Sequence, residues 1–398
     1  MDYDLITIGG GIAGATLGRA LAEHGARVLI VERETRFRDR VRGETVHPWG
    51  VAEARALGIA DLLLDTCGQE VRWWRSSTAS APEIQERDLI ATTPARAGEL
   101  TFHHPAMQET LLHAAAEAGA EVRRGVRVVG LTPGTQPSVS IQAEGAAPET
   151  FSARLVVGAD GRTSRARGWS DFAVNRDPER LVVAGLLLAG VRLPTDGVRV
   201  VSNAAVGQFA LFFPLRGGRH RAYFAYRRTG APRHLSGRQH VGDFLAACVE
   251  AGADPAWFTD AEAIGPLAAF EGADSWVDHP YSGGVALVGD AAAACDPSWG
   301  CGLSLTLRDV RTLRDHMLAS DDWDAAGQIY AAEHDRYYAA LHRLEHWRTA
   351  LFEIGPEADS RRARVIPRLA TAAPGGIPDL VGLGPDGPSD EATLCHFS

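Results

Sequence analysis

The chain has 398 residues, of which 45% are hydrophobic and 23% charged, a composition typical of a globular protein with one large core or two domains. Its formal net charge of −10 argues against a nucleic acid or an anionic membrane as the partner. All 40 basic side chains are arginine, so this chain cannot carry out a reaction that needs its own lysine.

A glycine-rich turn between two predicted strands opens the chain. The apolar run at 5–8 predicts a buried strand, 12–24 predicts a helix, and 27–32 predicts a second strand. Three glycines stand in the turn at the spacing of a dinucleotide-binding loop, namely Gly9, Gly11 and Gly14. In this context the spacing predicts a nucleotide cofactor whose pyrophosphate lies on the helix N-terminus.

Each residue of this predicted dinucleotide-binding turn, which we call the cradle, is there for a physical reason. Gly9 permits the tight turn, Gly11 lets the backbone approach a pyrophosphate, and Gly14 lets the helix lie close to the strand. Glu32 ends the second strand, where it can accept hydrogen bonds from ribose hydroxyls and would repel a 2′-phosphate. The cradle therefore favours FAD or NAD over NADP.

Two further side chains before residue 110 are candidates for contact with the cofactor. The charged run at 33–42 is either a solvated loop or a source of arginines, and Arg42 stands out because a segment with helical spacing follows it. The periodicity of 103–118 predicts a helix with one buried stripe. Gln108 lies in its first turn, where its amide either points at the cofactor or faces solvent.

An acid–glycine pair follows the next predicted strand, at 154–158. Asp160 and Gly161 would lie at the carboxyl edge of the sheet, where open α/β sheets bind their ligands. A plain strand-to-turn connection is the alternative.

The segment 176–275 changes to an aromatic, β-rich pattern. Its apolar run at 181–191 is too short to cross a bilayer. Alternation on both sides of a Gly-Gly turn predicts a hairpin with aromatic side chains on both faces. One face would then be a core and the other a ligand chamber, although both faces could be core. Phe212 and Tyr223, with Pro297 from a later loop, are the pocket candidates, and no catalytic base is assigned.

The segment 289–303 combines a carboxylate, a bend and two glycines ahead of a predicted helix: Asp290, Pro297, Gly300, Gly302 and Leu303. Asp290 follows a short predicted strand at 285–288, where it can accept a hydrogen bond from the ribityl chain of a flavin. The glycines let the loop between Asp290 and the predicted helix, which we call the flavin loop, lie flat against a ring. The free helix N-terminus would stabilise the negative charge that a reduced flavin develops.

Together these motifs resemble the FAD-dependent monooxygenases of the p-hydroxybenzoate hydroxylase type, the group A flavoprotein hydroxylases. They occur in the family's order over residues 5–310. The resemblance implies one FAD, with NADPH or NADH and O2 as co-substrates. It also implies a C4a-hydroperoxyflavin that hydroxylates or epoxidises an aromatic or polyketide-like small molecule, as in secondary metabolism.

The resemblance further implies which residues hold the cofactor. Arg42, Gln108, Asp290 and the backbone of 300–303 would hold FAD, and Val128 would flank the adenine. With the cradle residues, the predicted FAD-binding set is Gly9, Gly11, Ile12, Ala13, Gly14, Glu32, Arg33, Arg42, Gln108, Val128, Asp160, Asp290, Pro297, Gly300, Gly302 and Leu303. No metal site is predicted, and the histidines at 334–346 are expected to face solvent.

The chain departs from the family pattern at two positions, which leaves other activities open. Ala293 stands where the family commonly has histidine, and Ser304 where it commonly has asparagine. An oxidase, a ring-opening enzyme or a geranylgeranyl-reductase-like enzyme would carry the same motifs. A flavin-dependent halogenase is disfavoured, because it would need a lysine and a Trp-x-Trp-x-x-Pro element. A flavoprotein fold kept as a non-enzymatic binding or scaffold protein is the remaining alternative, which failure to retain FAD would favour.

The predicted fold class is α/β, with a Rossmann-like FAD-binding domain of the glutathione-reductase type interleaved with a substrate domain of β-sheet and helix. The predicted ranges are 1–74, 100–175 and 276–320 for the FAD-binding domain, 75–99 and 176–275 for the substrate domain, and 321–398 for a C-terminal helical segment. A helix at 233–253 is expected to cross the substrate sheet.

Cysteine usage predicts a reducing compartment. Five cysteines stand at scattered spacings without a CxxC pair or a signal peptide, so free thiols in a cytoplasmic protein are expected. Cys295 and Cys301 flank the proposed flavin loop, where they are either small buried fillers or a redox-active or flavin-linked pair. A monomer or a homodimer is expected.

Overall fold

The secondary structure follows the predicted order of strands and helices. The computed structural model describes residues 1–228, 235–371 and 376–398. Within these ranges the helices are α1 (Ile12–Ala22), α2 (Pro48–Ala56), α3 (Ala60–Thr66), α4 (Leu89–Thr92), α5 (His104–Glu117), α6 (Ala166–Trp169), α7 (Val241–Glu250), α8 (Gly302–Ala319), α9 (Trp323–Ala350), α10 (Pro356–Thr371) and α11 (Glu391–Phe397). The strands are β1 (Tyr3–Ile8), β2 (Val28–Glu32), β3 (Thr45–Val46), β4 (Gly68–Val71), β5 (Trp73–Thr78), β6 (Ala81–Asp88), β7 (Glu99–Phe102), β8 (Glu121–Arg124), β9 (Val126–Thr132), β10 (Ser138–Ala143), β11 (Glu149–Gly158), β12 (Asn175–Arg176), β13 (Leu181–Ala189), β14 (Gly197–Asn203), β15 (Gln208–Leu215), β16 (Arg219–Arg227), β17 (Glu262–Ala263), β18 (Ala268–Gly272), β19 (Ser275–Trp276), β20 (Tyr281–Ser282), β21 (Val285–Leu287) and β22 (Ala293–Ala294).

The first sheet is the parallel layer expected from the opening motif. Its strand order is β20–β21–β11–β1–β2–β8, and all pairs are parallel except β20–β21. The central strands β1, β2, β11 and β21 are largely apolar because both faces are covered there, one by α1, α5 and α8, the other by β9 and β10, whereas the edge strand β8 is polar. The carboxyl ends of β1, β2, β11 and β21 therefore meet at one edge, and the predicted α/β class is confirmed.

The second sheet contains the aromatic hairpin. Its order is β17–β13–β16–β15–β14–β5–β6, with β18 also on β13. Leu215 pairs with Arg219, so a three-residue loop, 216–218, joins β15 to β16, and Gly217 and Gly218 in it have φ of +81° and +71°. Because β5 begins at Trp73, this sheet includes residues on both sides of the first predicted domain boundary. The domain ranges stay a prediction.

The two faces of this sheet have different neighbours. Phe212 and Phe224 pack against α7 in a closed apolar core. Leu211, Phe213 and Tyr223 face the opposite way, toward the first sheet. The prediction of Phe212 as a pocket residue is therefore wrong, because neighbouring residues of a strand point to opposite sides.

The helix predicted at 233–253 is shorter than expected. α7 begins at Val241, after a short 3-10 turn at 238–240. Residues 233 and 234, at the start of the prediction, lie outside the described residues. Among the helices that the structure describes, none combines the length and the apolar composition needed to cross a membrane.

Arg221 on β16 ties the second sheet to the residues 39–44, which we call the Arg42 segment. The guanidinium is fully buried; its Nε donates to Glu44 Oε2 at 2.9 Å, and its Nη2 donates to Asp39 Oδ2 at 2.7 Å. Burial lowers the pKa of Arg221, but the carboxylate of Glu44 raises it by more, so the side chain remains charged. Tyr223, two residues along the strand, donates its hydroxyl to the Arg42 carbonyl at 2.6 Å.

The Arg42 segment contains a strained residue. Val41 has φ of +54°, a left-handed conformation that costs a β-branched residue about 1–2 kcal/mol. Its N–H donates to Asp39 Oδ1 at 2.8 Å. The Val41 side chain fills the space above Gly185 on β13, where a Cβ would lie 2.4 Å from its Cγ1. The strain persists because these contacts on both sides determine the conformation.

Replacing Arg221 with methionine should lower the free energy of unfolding by about 3–5 kcal/mol, because Glu44 would remain as a buried, unpaired carboxylate. Urea unfolding followed by circular dichroism measures the change. The double variant Arg221→Met/Glu44→Gln should recover part of the lost free energy of unfolding, because it removes the unpaired charge as well.

The control is Arg192→Met, at an ion pair with Asp260 in which both side chains are more than half exposed. The free energy of unfolding of this variant should fall by less than about 1 kcal/mol. Equal losses at Arg221 and Arg192 would contradict the assignment of the buried pair.

Candidate functional site

A cleft of about 680 Å³ runs along the carboxyl edge of the first sheet. The turn after β1, the end of β2 and the loops after β11 and β21 form its walls. Most of the predicted cofactor-binding residues line it: Gly9, Gly11, Ile12, Ala13, Glu32, Arg33, Arg42, Gln108, Val128, Asp160, Asp290 and Leu303. The sequence motifs thus converge on one cavity although they are spread over almost 300 residues.

The three glycines of the turn have different surroundings. A Cβ at Gly9, whose φ is +107°, would lie 2.4 Å from the Ala159 carbonyl oxygen, and one at Gly14 would lie 2.0 Å from the Gly9 carbonyl oxygen. Gly11 has only Gln108 Nε2 near its Cβ position, at 3.6 Å. The fold therefore requires Gly9 and Gly14, while the room beside Gly11 belongs to the cleft. α1 begins there without a side-chain cap or an acidic first turn, so its N–H groups are free for phosphate.

Glu32 is fixed at the end of β2 by two backbone donors. Its Oε2 accepts the Gly10 N–H and its Oε1 accepts the Glu34 N–H, both at 2.8 Å. Each carboxylate oxygen keeps acceptor capacity for a ribose hydroxyl.

Asp160 presents a carboxylate from the loop after β11. Its Oδ2 accepts the backbone N–H groups of Arg165 at 2.7 Å and Ala166 at 3.3 Å. Its Oδ1 is buried and has no hydrogen-bond partner among the described residues. An acceptor left unpaired in a cleft is suited to a ligand hydroxyl or amide.

Arginines after Asp160 organise the loop that follows β21. Arg167 is buried and donates its Nε to the Ala291 carbonyl at 2.7 Å and its Nη2 to the Asp290 carbonyl at 2.6 Å. Arg162 donates to the Cys295 carbonyl at 2.6 Å. Both guanidinium groups therefore shape the loop around Asp290.

Asp309 of α8 also hydrogen-bonds to the backbone at the start of this loop. Its Oδ2 accepts the Gly289 N–H at 2.7 Å, and its Oδ1 accepts the Tyr337 hydroxyl at 2.6 Å. Burial raises the pKa of Asp309 to about 6, despite the opposing effect of His334. The Gly289–Asp290 turn thus depends on a buried carboxyl group 19 residues beyond Asp290.

A second cavity of about 390 Å³ lies between the cleft and the second sheet, and we call it the chamber. Pro297, Gly300, Gly302 and Tyr223 line it, so three predicted flavin-loop residues meet there with two of the pocket candidates, Tyr223 and Pro297 itself. Five residues border both cavities: Arg42, His104, Arg162, Asp290 and Leu303. The chamber and the cleft are therefore adjacent, with a shared wall.

The His47 ring connects the flavin loop to β7 through two hydrogen bonds. Its Nδ1 lies 2.8 Å from Glu99 Oε1, and its Nε2 lies 3.0 Å from the Trp299 carbonyl oxygen. Because both partners are acceptors, both ring nitrogens must carry a proton, which makes the ring an imidazolium. Burial lowers the pKa of His47, but Glu99 raises it by more, in agreement with that state. A Cβ at Gly300 would lie 3.2 Å from His47 Nε2.

A family model described as an FAD binding domain matches residues 2–340. The chain belongs to this FAD-binding family. A relative, the rifampicin monooxygenase of Streptomyces venezuelae, is 26% identical over 376 residues, which cover 90% of this chain and 74% of that protein. The family membership confirms the resemblance to FAD-dependent monooxygenases and the prediction of FAD as the cofactor.

Two solved structures share the fold. The anhydrotetracycline hydroxylase OxyS from Streptomyces rimosus matches with a TM-score of 0.70 and 22% identity, over 93% of this chain and 73% of that chain. PqsL of Pseudomonas aeruginosa, in complex with 2-aminobenzoylacetate, matches with a TM-score of 0.73 and 21% identity, over 88% of this chain and 96% of that chain.

The described residues fit FAD. The open space at Gly11, the uncapped α1 and the unpaired Asp160 Oδ1 suit a dinucleotide, and the carboxylate of Glu32 suits its ribose. α8 also begins without a side-chain cap, beside the chamber, where a flavin ring would present its polar edge.

Sequence reasoning missed three supporting residues: His47, Arg167 and Asp309. Each acts through a partner far along the chain, so no local motif marks it. Only Arg167 follows an acid–glycine motif closely, since Asp309 lies 19 residues beyond Asp290. A buried charged side chain so soon after a ligand-binding turn could therefore have been suspected.

Gly11→Ala and Gly14→Ala should separate cofactor binding from folding. Gly11→Ala places a methyl group in the cleft, so FAD affinity should fall at least tenfold while the melting temperature of the apoprotein stays unchanged. Gly14→Ala forces α1 away from β1 and should cost about 1–3 kcal/mol of stability. Calorimetric titration of FAD into apoprotein and thermal unfolding measure the two effects; wild-type FAD affinity in Gly11→Ala would contradict the cradle.

Asp309 should make stability depend on pH. Since its pKa is raised, the stability that its protonated form contributes is present below about pH 4 and lost as pH rises through about 6, amounting to about 3 kcal/mol. Asp309→Asn keeps an acceptor for the Gly289 N–H and removes the ionisation. Its stability relative to wild type should therefore be about 3 kcal/mol more favourable at pH 7 than at pH 4, measured by urea unfolding.

The matched change Asp309→Ala leaves the Gly289 N–H and the Tyr337 hydroxyl without their acceptor. It should release FAD on dialysis, whereas Asp309→Asn should retain it. Equal FAD retention in the two variants would argue against the role of this carboxyl in holding the turn.

Proposed function

We propose that the protein is a monooxygenase that uses NADPH or NADH and O2 to hydroxylate or epoxidise an apolar aromatic or polyketide-like small molecule. The observation that carries the proposal is the chamber, which borders the cofactor cleft through five shared residues. A substrate in the chamber would have direct access to the cofactor.

The chamber wall is largely apolar. Val183 of β13, Leu211 and Phe213 of β15, Phe270 of β18 and Trp299 of the flavin loop contribute to it. Its volume lies near the lower end of the range of about 300–1,000 Å³ typical of small-molecule sites. Such a site favours a small apolar ring system. The names of the rifampicin monooxygenase and the anhydrotetracycline hydroxylase support the reaction class.

Bound FAD would supply the electron transfer from the nicotinamide and the activation of O2. The protein supplies binding, orientation and a dry site. The free N–H groups of α8 and the imidazolium of His47 favour negative charge at the flavin loop. The apolar chamber excludes water from the reacting atoms.

Tyr223 acts as a positioning residue in this proposal. Its hydroxyl already donates to the Arg42 carbonyl, and burial raises its pKa well above 10. It therefore stays protonated and does not serve as a general base. Its ring instead forms part of the chamber wall.

The decisive experiment is anaerobic reduction of the purified flavoprotein. NADPH or NADH is added with and without a panel of phenols, indoles and aromatic polyketides, and bleaching of the flavin band is followed before air is admitted. A compound that accelerates bleaching and leaves as an oxygenated product supports the monooxygenase. A product formed without O2, by hydrogenation of a double bond, would assign a reductase instead. A yellow protein that neither nicotinamide reduces would overturn the proposal.

A chamber variant tests where the substrate binds. Leu211→Trp should narrow the chamber and reduce substrate-stimulated bleaching at least tenfold, while FAD content and bleaching without substrate stay unchanged. The control is Val206→Trp, at an exposed position outside the chamber, which should behave as wild type. Equal effects of the two changes would place the substrate elsewhere.

A further inference from the structure

We propose that Asp177, His342 and His346 form a binding site for one divalent transition-metal ion of the zinc or cobalt class. His342 and His346 are four residues apart on α9, so their imidazoles share one face of the helix. Asp177 reaches them from the residue after β12. The sequence spacing of the histidines showed no third ligand because Asp177 lies 165 residues away from His342.

The three ligand atoms converge on one point. His342 Nε2 lies 2.8 Å from Asp177 Oδ2, and His346 Nε2 hydrogen-bonds to the same oxygen. All three ligand atoms lie within 4.8 Å of one another, and the two ring centroids are 4.4 Å apart. Zinc binds histidine nitrogen and carboxylate oxygen at about 2.0–2.2 Å, which separates neighbouring ligand atoms by about 3–3.5 Å. A small outward rotation of the carboxylate makes room for the ion.

The ligands are held in place by their surroundings. The His342 ring packs against Trp276 at 4.7 Å and stacks on Tyr338 at 5.6 Å, measured between centroids. The Asp177 N–H donates to the Asp274 carbonyl at 3.0 Å, which fixes the backbone of the carboxylate ligand.

An ion can reach this site from solvent. The side chains of His342, His346 and Asp177 are 19%, 40% and 16% exposed. None of the three lines the cofactor cleft or the chamber. Two imidazoles and one carboxylate also leave a coordination position open for water.

A single ion pair involves one imidazole, whereas here two imidazoles meet one carboxylate. The same helix contains such a pair, in which Asp335 approaches His279 Nδ1 at 3.4 Å. The Asp177 cluster differs because a second ring shares the same carboxylate oxygen. Three converging ligand atoms are what a metal ion requires and what an ion pair lacks.

Metal binding would connect α9 to the rim of the chamber. Arg176 and Glu179 flank Asp177 and line the chamber. A bound ion would therefore fix the segment 176–179 relative to α9. This role is separate from flavin chemistry and does not rest on the proposed reaction.

The test is a titration of the chelator-treated, full-length flavoprotein with ZnCl2 in a calorimeter, repeated with CoCl2 by visible absorption at wavelengths longer than the flavin band. We expect one ion per chain with a dissociation constant of about 1 µM or tighter. Asp177→Asn and His346→Gln should each weaken binding at least 100-fold, whereas the control His279→Gln should bind as wild type. The FAD content should be the same in all four proteins.

Binding that is unchanged in both Asp177→Asn and His346→Gln would overturn the proposal, as would the absence of a one-to-one complex. Loss of binding in His279→Gln to the same extent would show adventitious binding to surface histidines and would also overturn it. Because none of these readouts involves turnover, the result is independent of whether the enzyme is a monooxygenase.

Discussion

The buried ion pair between Arg221 and Glu44 is the constraint on which the site depends. A guanidinium without solvent must be neutralised, and among the described residues the carboxylates that pair with Arg221, Glu44 and Asp39, both belong to the Arg42 segment. The second sheet can therefore dock on the first only where Glu44 and Asp39 meet Arg221. This docking places the Arg42 segment between the cofactor cleft and the chamber. The ion pairs of Arg221 therefore fix the position of a wall that both cavities share.

The sequence predicted what is local and missed what is long-range. The spacing of Gly9, Gly11 and Gly14 could be interpreted because the strand–turn–helix unit that contains them is local, although the close contact of Gly9 with Ala159 is not. The strand alternation also predicted that Leu211 and Phe212 lie on opposite faces of the sheet. It could not show which face is the chamber, because that depends on where α7 packs. The pairing of His47 with Glu99, 52 residues apart, likewise has no trace in spacing or composition.

The surroundings of the flavin loop differ sharply in charge between its two sides. On one side, His47 and the start of α8 favour anions. On the other, burial raises the pKa of Asp274 to about 6 and that of Glu345 well above its usual range. Burial also raises the pKa of Cys295 and Cys301, which are free thiols rather than thiolates. A buried, protonated thiol is a poor nucleophile, which favours the interpretation as buried fillers over that as a flavin-linked pair.

The contact between Val41 and Gly185 limits how this enzyme can diversify. Gly185 belongs to the strand that shapes the chamber, while Val41 belongs to the segment that borders the cofactor cleft. A larger residue at 185, introduced to alter substrate choice, would push against Val41 and shift Arg42 with it. Homologues with different substrates should therefore show correlated substitutions at positions 41 and 185, and directed evolution of the chamber should meet epistasis at this pair.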